Sequence, residues 1–289
     1  TEDADTVRCL FYGLGADGTV GANKNSIKII SEDTDNYAQG YFVYDSKKSG
    51  SATVSHLRFG DRPIAEPYLI EQADFVACHQ RTLLDSLDVV GVAAPGATIL
   101  LNTPEPAAEV WETLPAVVRR QILERRLRLF VVDASGIAHD AGLGRRVNTV
   151  LQTCFFALAE LLPVEDAVAA IKEETAKAYG KRGEAVVARN LDAIDSALSG
   201  LHEVEIPEES AIATGHEKAL LAGESEFVRN VTSELLAGRG NDLPVSAFAP
   251  DGTFPVGTAR LEKRSLAAEI PIWDPELCID CAKCALVCP

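Results

Sequence analysis

Four cysteines close the chain in the spacing Cys-x2-Cys-x2-Cys-x3-Cys-Pro, at Cys278, Cys281, Cys284 and Cys288. Three thiolates within seven residues can wrap one iron–sulfide cube, and in such runs the fourth cysteine ligates the other cluster of a two-cluster domain. Zinc, the competing metal, more often uses separated ligand pairs. The run therefore predicts 4Fe–4S chemistry. With no second run in the sequence, it supplies three ligands for one cluster and one for another. The tail is expected to be poorly ordered, or ordered only by contact with another chain.

A second chemical feature opens the chain. In "YGLGADGTVGANKN", Gly13, Gly15 and Gly18 hold the G-x-G-x-x-G spacing directly after a predicted strand and opening a predicted helix. Glycines there permit a tight turn and close approach of an anion, and the helix N-terminus offers unpaired N–H groups. Asp17 opposes this reading, since a carboxylate in the loop repels a pyrophosphate unless it points away or caps the helix. The other candidate contacts are basic. The strand "GYFVYDSKKSG" ends in Lys47 and Lys48, where a nucleotide-binding sheet meets the ribose, and a lysine pair in so acidic a chain suggests a ribose phosphate. NADP and coenzyme A both carry one, and local chemistry does not separate them. Arg145 and Arg146 precede a long helix from Asn148, where a guanidinium can close over a phosphate or carboxylate. His79 sits at a strand end, where such folds place ligands, although a lone histidine there is more often a hydrogen-bonded loop residue.

These residues need a scaffold. Residues 1–160 alternate β-branched apolar runs ("VRCLFYG", "GYFVYDS", "TVSHLRFG", "ADFVACH", "ATILLNT", "LRLFVVDAS") with helical patterns. That alternation predicts an α/β fold, a doubly wound, mostly parallel sheet with helices on both faces. "PAAEVWETLPAVVRRQILERR" reads as one surface helix with Pro106 near its start, and Asn148 to about Ser199 reads as helical throughout. "HEVEIPEESAIATG" reads as a linker, "ESEFVRNVTSELLAG" as a short helix, and the turn-rich stretch to Pro275 as a small irregular module with room for a hairpin. Two Asp-Gly-Thr triplets, at 17–19 and 251–253, look coincidental.

Composition narrows the function. With 289 residues and 47% hydrophobic content the chain can bury a large core. A net charge of −16 argues against nucleic-acid binding, which draws its affinity from Lys and Arg on phosphates. No stretch approaches a membrane span and no signal segment opens the chain, so it reads as cytoplasmic. Cys9, Cys78 and Cys154 stand singly in apolar surroundings and are expected to be buried free thiols. The absence of methionine, and the end inside a motif, fit a processed or excised piece of something longer.

"GLGADGTVGANKNSIKII", "YFVYDSKKSGSATVSHLRFG", "NTVLQTCFF" and "FPVGTARLEKRSLAAEIPIWDPELC", followed by the cysteine run, resemble in this order the central segment of pyruvate:ferredoxin (flavodoxin) oxidoreductases. Glu262, Lys263 and Arg264 match the triplet naming that family's small EKR module. The resemblance implies oxidative cleavage of pyruvate on thiamine diphosphate with Mg2+. Electrons would pass through 4Fe–4S clusters to ferredoxin or flavodoxin, and the acetyl group to coenzyme A. It implies a coenzyme A-binding domain over 1–203, a linker over 204–225, the EKR module over 226–270 and the start of a two-cluster ferredoxin-like domain over 271–289. It resolves the ribose phosphate in favour of coenzyme A, with Lys47 and Lys48 on the 3′-phosphate and Gly18, Thr19, Arg146 and Asn190 near the rest. No acidic-Gly-Asp-Gly thiamine motif is present. The chain alone is thus expected to be inactive and to need the remaining domains or chains, in a homodimeric enzyme. An NADP-binding oxidoreductase domain fused to a ferredoxin module is the competing reading, and a purely structural assembly surface a third.

Overall fold

Five apolar runs of the first 132 residues become the interior of one sheet. A computed structural model describes residues 5–15, 17–44, 51–85, 87–144, 146–207, 224–261 and 272–287. Strands β1 (Val7–Leu14), β4 (Ala73–Cys78), β5 (Ala93–Asn102) and β6 (Arg128–Val132) are parallel neighbours. They are buried on both faces, so their sequences run continuously apolar where a half-exposed strand would alternate. β2 (Tyr37–Tyr44) and β3 (Ala52–Gly60) add an antiparallel pair, with β3 beside β1, and the sheet order is β2-β3-β1-β4-β5-β6-β7. Five of the seven strands point the same way, which makes this the mostly parallel α/β sheet expected.

One premise of the sequence reading changes. β2 is not the neighbour of β1, as it would be in a dinucleotide-binding unit, because β3 lies between them. Periodicity marks a strand but says nothing of its partner. β7 (His202–Glu203) also falls where a linker was expected, pairing antiparallel to β6, with Val204 buried and its N–H on Leu129 O at 2.8 Å.

Helices cover both faces. On one, α1 (Thr19–Asp33), α4 (Ala134–Asp140), α5 (Asn148–Ala159), α6 (Val164–Tyr179) and α7 (Glu184–Ala197) enclose an aromatic layer. Phe155 is its hub, with Phe11 at 5.0 Å, Phe75 and Phe156 at 5.2 Å and Phe59 at 6.1 Å between ring centroids. On the other face lie α2 (Ala107–Thr113) and α3 (Ala116–Arg125), with Trp111, Val118 and Ile122 buried. The single helix expected here is broken at Leu114, whose extended backbone is what a residue before proline adopts, and Pro115 then starts α3. Cys9, Cys78 and Cys154 are buried free thiols, as expected, and burial raises all three pKa values.

Residues 224–261 are helical through a π turn, Val228–Thr232, into α8 (Ser233–Leu236), then run as short 3-10 turns. No strand, and so no hairpin, occurs among the described residues of this part. It is pinned by a two-pronged Arg260–Glu224 ion pair at 2.6 and 2.8 Å and by the edge-on rings of Phe227 and Phe254. Ala237 O accepts from Asp88 N at 3.2 Å, joining it to the α/β domain. In 272–287 every residue is exposed, including Ile272, Trp273 and Leu277.

Candidate functional site

At the C-terminal edge of the parallel strands, the connections after β1 and β4 part to opposite faces. α1 buries Ile29 and Ile30 in the aromatic layer, whereas the turn Arg81–Asp85 buries Leu83 and Leu84 in the other core. Neighbouring parallel strands whose connections diverge leave a crevice beyond their ends, the usual ligand position of such sheets.

The three glycines of the loop after β1 each stand where another group comes close. A Cβ on Gly13 would lie 2.7 Å from Asp17 Oδ2, one on Gly15 2.7 Å from Ser51 Oγ, and one on Gly18 2.9 Å from Asn148 Cγ. Gly18 also has φ +88°, which favours glycine. Gly15 N donates to Ser51 O at 2.9 Å, so the end of the β2–β3 hairpin is bonded to the loop. Lys47 and Lys48, in that hairpin, lie outside the described residues, as do Arg145, the Glu262–Arg264 triplet and Cys288. Arg146 is exposed, with no bond to a described residue, two positions before the Asn148 that packs on Gly18. Loop, hairpin end and α5 start therefore meet at one edge.

Asp17 turns inward. Its carboxylate accepts from Leu14 N at 2.7 Å, Thr19 N at 2.8 Å and Thr19 Oγ1 at 2.6 Å. It thus takes backbone N–H groups that a bound pyrophosphate would use. Thr19 Oγ1 also lies 2.7 Å from His79 Nδ1. The hydroxyl has one proton and the carboxylate only accepts, so Thr19 donates to Asp17 and His79 Nδ1–H donates to Thr19. His79 is only 4% exposed; burial pushes its pKa from 6.5 down to about 4, against the pull of Asp17, and the ring is neutral. Its backbone is fixed too, N to Tyr12 O at 2.8 Å and O from Asn102 Nδ2 at 3.0 Å. Asn102 Oδ1 in turn accepts from Ala134 N at 3.0 Å, linking the ends of β4, β5 and β6.

Asn190, expected near the ligand, is 1% exposed and bonded within the helical layer, donating to Val186 O and accepting from Thr149 Oγ1. Its amide holds α7 to α5 and is not free for a ligand. Sequence reasoning missed Ser51 and Asn148, which carry no motif, and gave His79 no partner, because the fold brings it to Thr19 across 60 residues.

A cavity of about 280 Å3 opens beyond β5 and β6, lined in part by Thr103, Glu105, Asp133, Asp140 and His202. Its three carboxylates suit an anion poorly. In the tail, Cys278, Cys281 and Cys284 are exposed free thiols. The Trp273 side chain and Asp280 N–H, 3.4 Å from the sulfur, lower the Cys278 pKa, and Asp280 and Ala282 have φ of 54° and 57°. Thiolate donors with N–H groups turned toward sulfur suit an iron–sulfur cluster in kind. Among the described residues, however, no three such groups gather as a metal-ligand set.

Fold and edge together define an α/β domain built on a mostly parallel sheet, a fold shared with solved oxidoreductase chains. Pyruvate oxidoreductase subunit PORC from Thermotoga maritima shares the fold at a TM-score of 0.55 and 20% identity, over 70% of this chain and 99% of that one. A 2-oxoglutarate:ferredoxin oxidoreductase from Magnetococcus marinus, solved with 2-oxoglutarate, coenzyme A and succinyl-CoA bound, aligns at 0.51 and 15% identity, over 74% of this chain and 34% of that one. The sequence family described as pyruvate ferredoxin/flavodoxin oxidoreductase matches residues 8–200, and the chain belongs to that family. A second family, EKR, a domain of unknown function, matches 215–267. The pyruvate-flavodoxin oxidoreductase of Nostoc sp. is 56% identical over all of this chain and 25% of its own length. The chain spans about a quarter of the length of the curated relatives it matches. No helix among the described residues is long and apolar enough to cross a membrane.

Proposed function

We propose that this chain is the coenzyme A-binding segment of a pyruvate:ferredoxin or flavodoxin oxidoreductase and carries the start of its iron–sulfur relay. The observation that carries the reading is the convergence of Gly15 with Ser51 and Gly18 with Asn148 at one sheet edge. That convergence supports the reading, because Ser51 follows the Lys47–Lys48 stretch and Asn148 follows Arg146 in the sequence. The bound coenzyme A named for the Magnetococcus relative supports it. One observation speaks against NADP: β2 is not beside β1, as it would be in a dinucleotide-binding unit.

In this reading Lys47 and Lys48 hold the 3′-phosphate, Arg146 pairs with a second phosphate, and the rigid loop sets the direction of the chain leading to the thiol. Thiamine diphosphate with Mg2+, bound elsewhere in the polypeptide, supplies the decarboxylation chemistry. Cys278, Cys281 and Cys284 would ligate one 4Fe–4S cluster and Cys288 a second, with their remaining ligands from outside this chain. The working assembly is a homodimer that passes electrons to ferredoxin or flavodoxin.

Calorimetry on the full-length polypeptide carrying this segment tests the assignment. Two charge-assisted contacts imply that coenzyme A binds roughly tenfold to a hundredfold more tightly than dephospho-coenzyme A. Lys47→Ala with Lys48→Ala should erase that difference and leave dephospho-coenzyme A binding unchanged. Equal affinity for the two ligands in the wild type, or preferential binding of NADPH, would sink the assignment.

A further inference from the structure

The two Asp-Gly-Thr triplets form the same turn. Thr253 N and Oγ1 bond to Asp251 Oδ1 at 3.0 and 2.8 Å, as Thr19 N and Oγ1 bond to Asp17 Oδ1 at 2.8 and 2.6 Å. The turn at 251–253 is exposed and has no further side-chain bond among the described residues. The turn is thus a local property of the triplet, with the Asx geometry its side chains favour. What sets 17–19 apart is the buried bond from His79 across the crevice, and the one from Leu14 N.

We infer that His79 is a positioning residue for coenzyme A: by donating through Nδ1 to Thr19 it moors the glycine loop to the end of β4 and fixes the width of the crevice between them. The inference rests on the coenzyme A reading above. Both ends of the mooring are held. Thr19 is 1% exposed, and the His79 backbone is tied to β1 and β5 by the Tyr12 and Asn102 bonds. The ring packs edge-on to Phe11, which leaves it little freedom to turn. A loop already in its bound shape binds without an ordering cost, so the bond contributes to affinity without touching ligand.

Amide replacements separate the two ring nitrogens. In His79→Asn the amide nitrogen falls near the position of Nδ1 and can still donate to Thr19; in His79→Gln the amide reaches the position of Nε2 and leaves Thr19 without its donor. In the full-length protein, calorimetry should show coenzyme A binding weakened about tenfold in His79→Gln and His79→Ala, the effect of losing one buried hydrogen bond. His79→Asn should stay within about threefold of wild type. Should His79→Ala fail to fold, Thr19→Ala against Thr19→Ser makes the same comparison from the other end of the bond. Equal affinity in all His79 variants, alongside a lost phosphate preference in the lysine variant, overturns the mooring alone. Rescue by Gln and not Asn overturns it in favour of direct contact through Nε2. Failure of the wild type to bind coenzyme A removes both the reading and this inference.

Discussion

Replacing Phe155 with alanine is expected to destabilise the chain by about 3–5 kcal/mol, the range for removing a buried phenylalanine from a close-packed core. Phe155 is 1% exposed on α5, and its ring is met by Phe11 from β1, Phe59 from β3, Phe75 from β4 and Phe156 from its own helix. Four rings from three strands and one helix cannot all move inward, so the lost ring leaves a cavity that persists. For a domain of about 200 residues this lowers the melting temperature by roughly 10 °C. Val256→Ala, at a residue 97% exposed, should change stability by no more than about 0.5 kcal/mol. Calorimetric melts of the two variants check the contrast. Equal melting temperatures would contradict the packing described.

The second large effect is on the pH dependence of stability. Burial lowers the pKa of His79 from 6.5 to about 4, and burial with the nearby Arg58 guanidinium lowers that of His56 to about 4. Both rings fold neutral. His79 would have to take a charge beside Thr19 and Asp17, and His56 accepts from Ile70 N through Nδ1 at 3.1 Å, a bond its protonation removes. Between pH 6.5 and 4 the unfolded chain binds protons that the folded chain does not, so stability rises with pH across that window. The stabilisation is complete above about 6.5 and lost as pH falls toward 4. For His79 the shift corresponds to a loss on the order of 3 kcal/mol, and His56 adds in the same direction. Urea denaturation at pH 7 and pH 4.5 should show the loss, and His56→Gln should reduce it. A flat profile over this range would contradict the neutral, buried assignment.

Much of this was legible in the sequence, and the exceptions have physical causes. The strands were legible because central parallel strands are buried on both faces, as in "CLFY" and "FVAC". Their pairing was not, since "YFVY" reads the same beside β1 or two places away. The two-residue β7 carries too little pattern to stand out from a linker, yet its backbone bonds close the sheet edge. The glycine spacing located the loop. Its chemistry differed, because the glycines make room for Thr19, Ser51 and Asn148 and Asp17 takes the amides. Thr19 is not a free hydroxyl, and Asn190 lies inside the helical layer. No spacing rule could find the Thr19–His79 bond, which exists only because β1 and β4 are neighbours. The cysteine run was legible as a motif, whereas among the described residues its sulfurs do not gather as a metal-ligand set.

The most direct measurement of the central claim, that coenzyme A binds at the β1/β4 edge, is hydrogen exchange on the full-length polypeptide with and without coenzyme A. The account predicts slowed exchange in peptides covering 13–21, 45–51 and 145–149, and unchanged exchange around the β5–β6 cavity at 103–107 and 131–137. Protection confined to that cavity, or none in any of these peptides at saturating ligand, would contradict it.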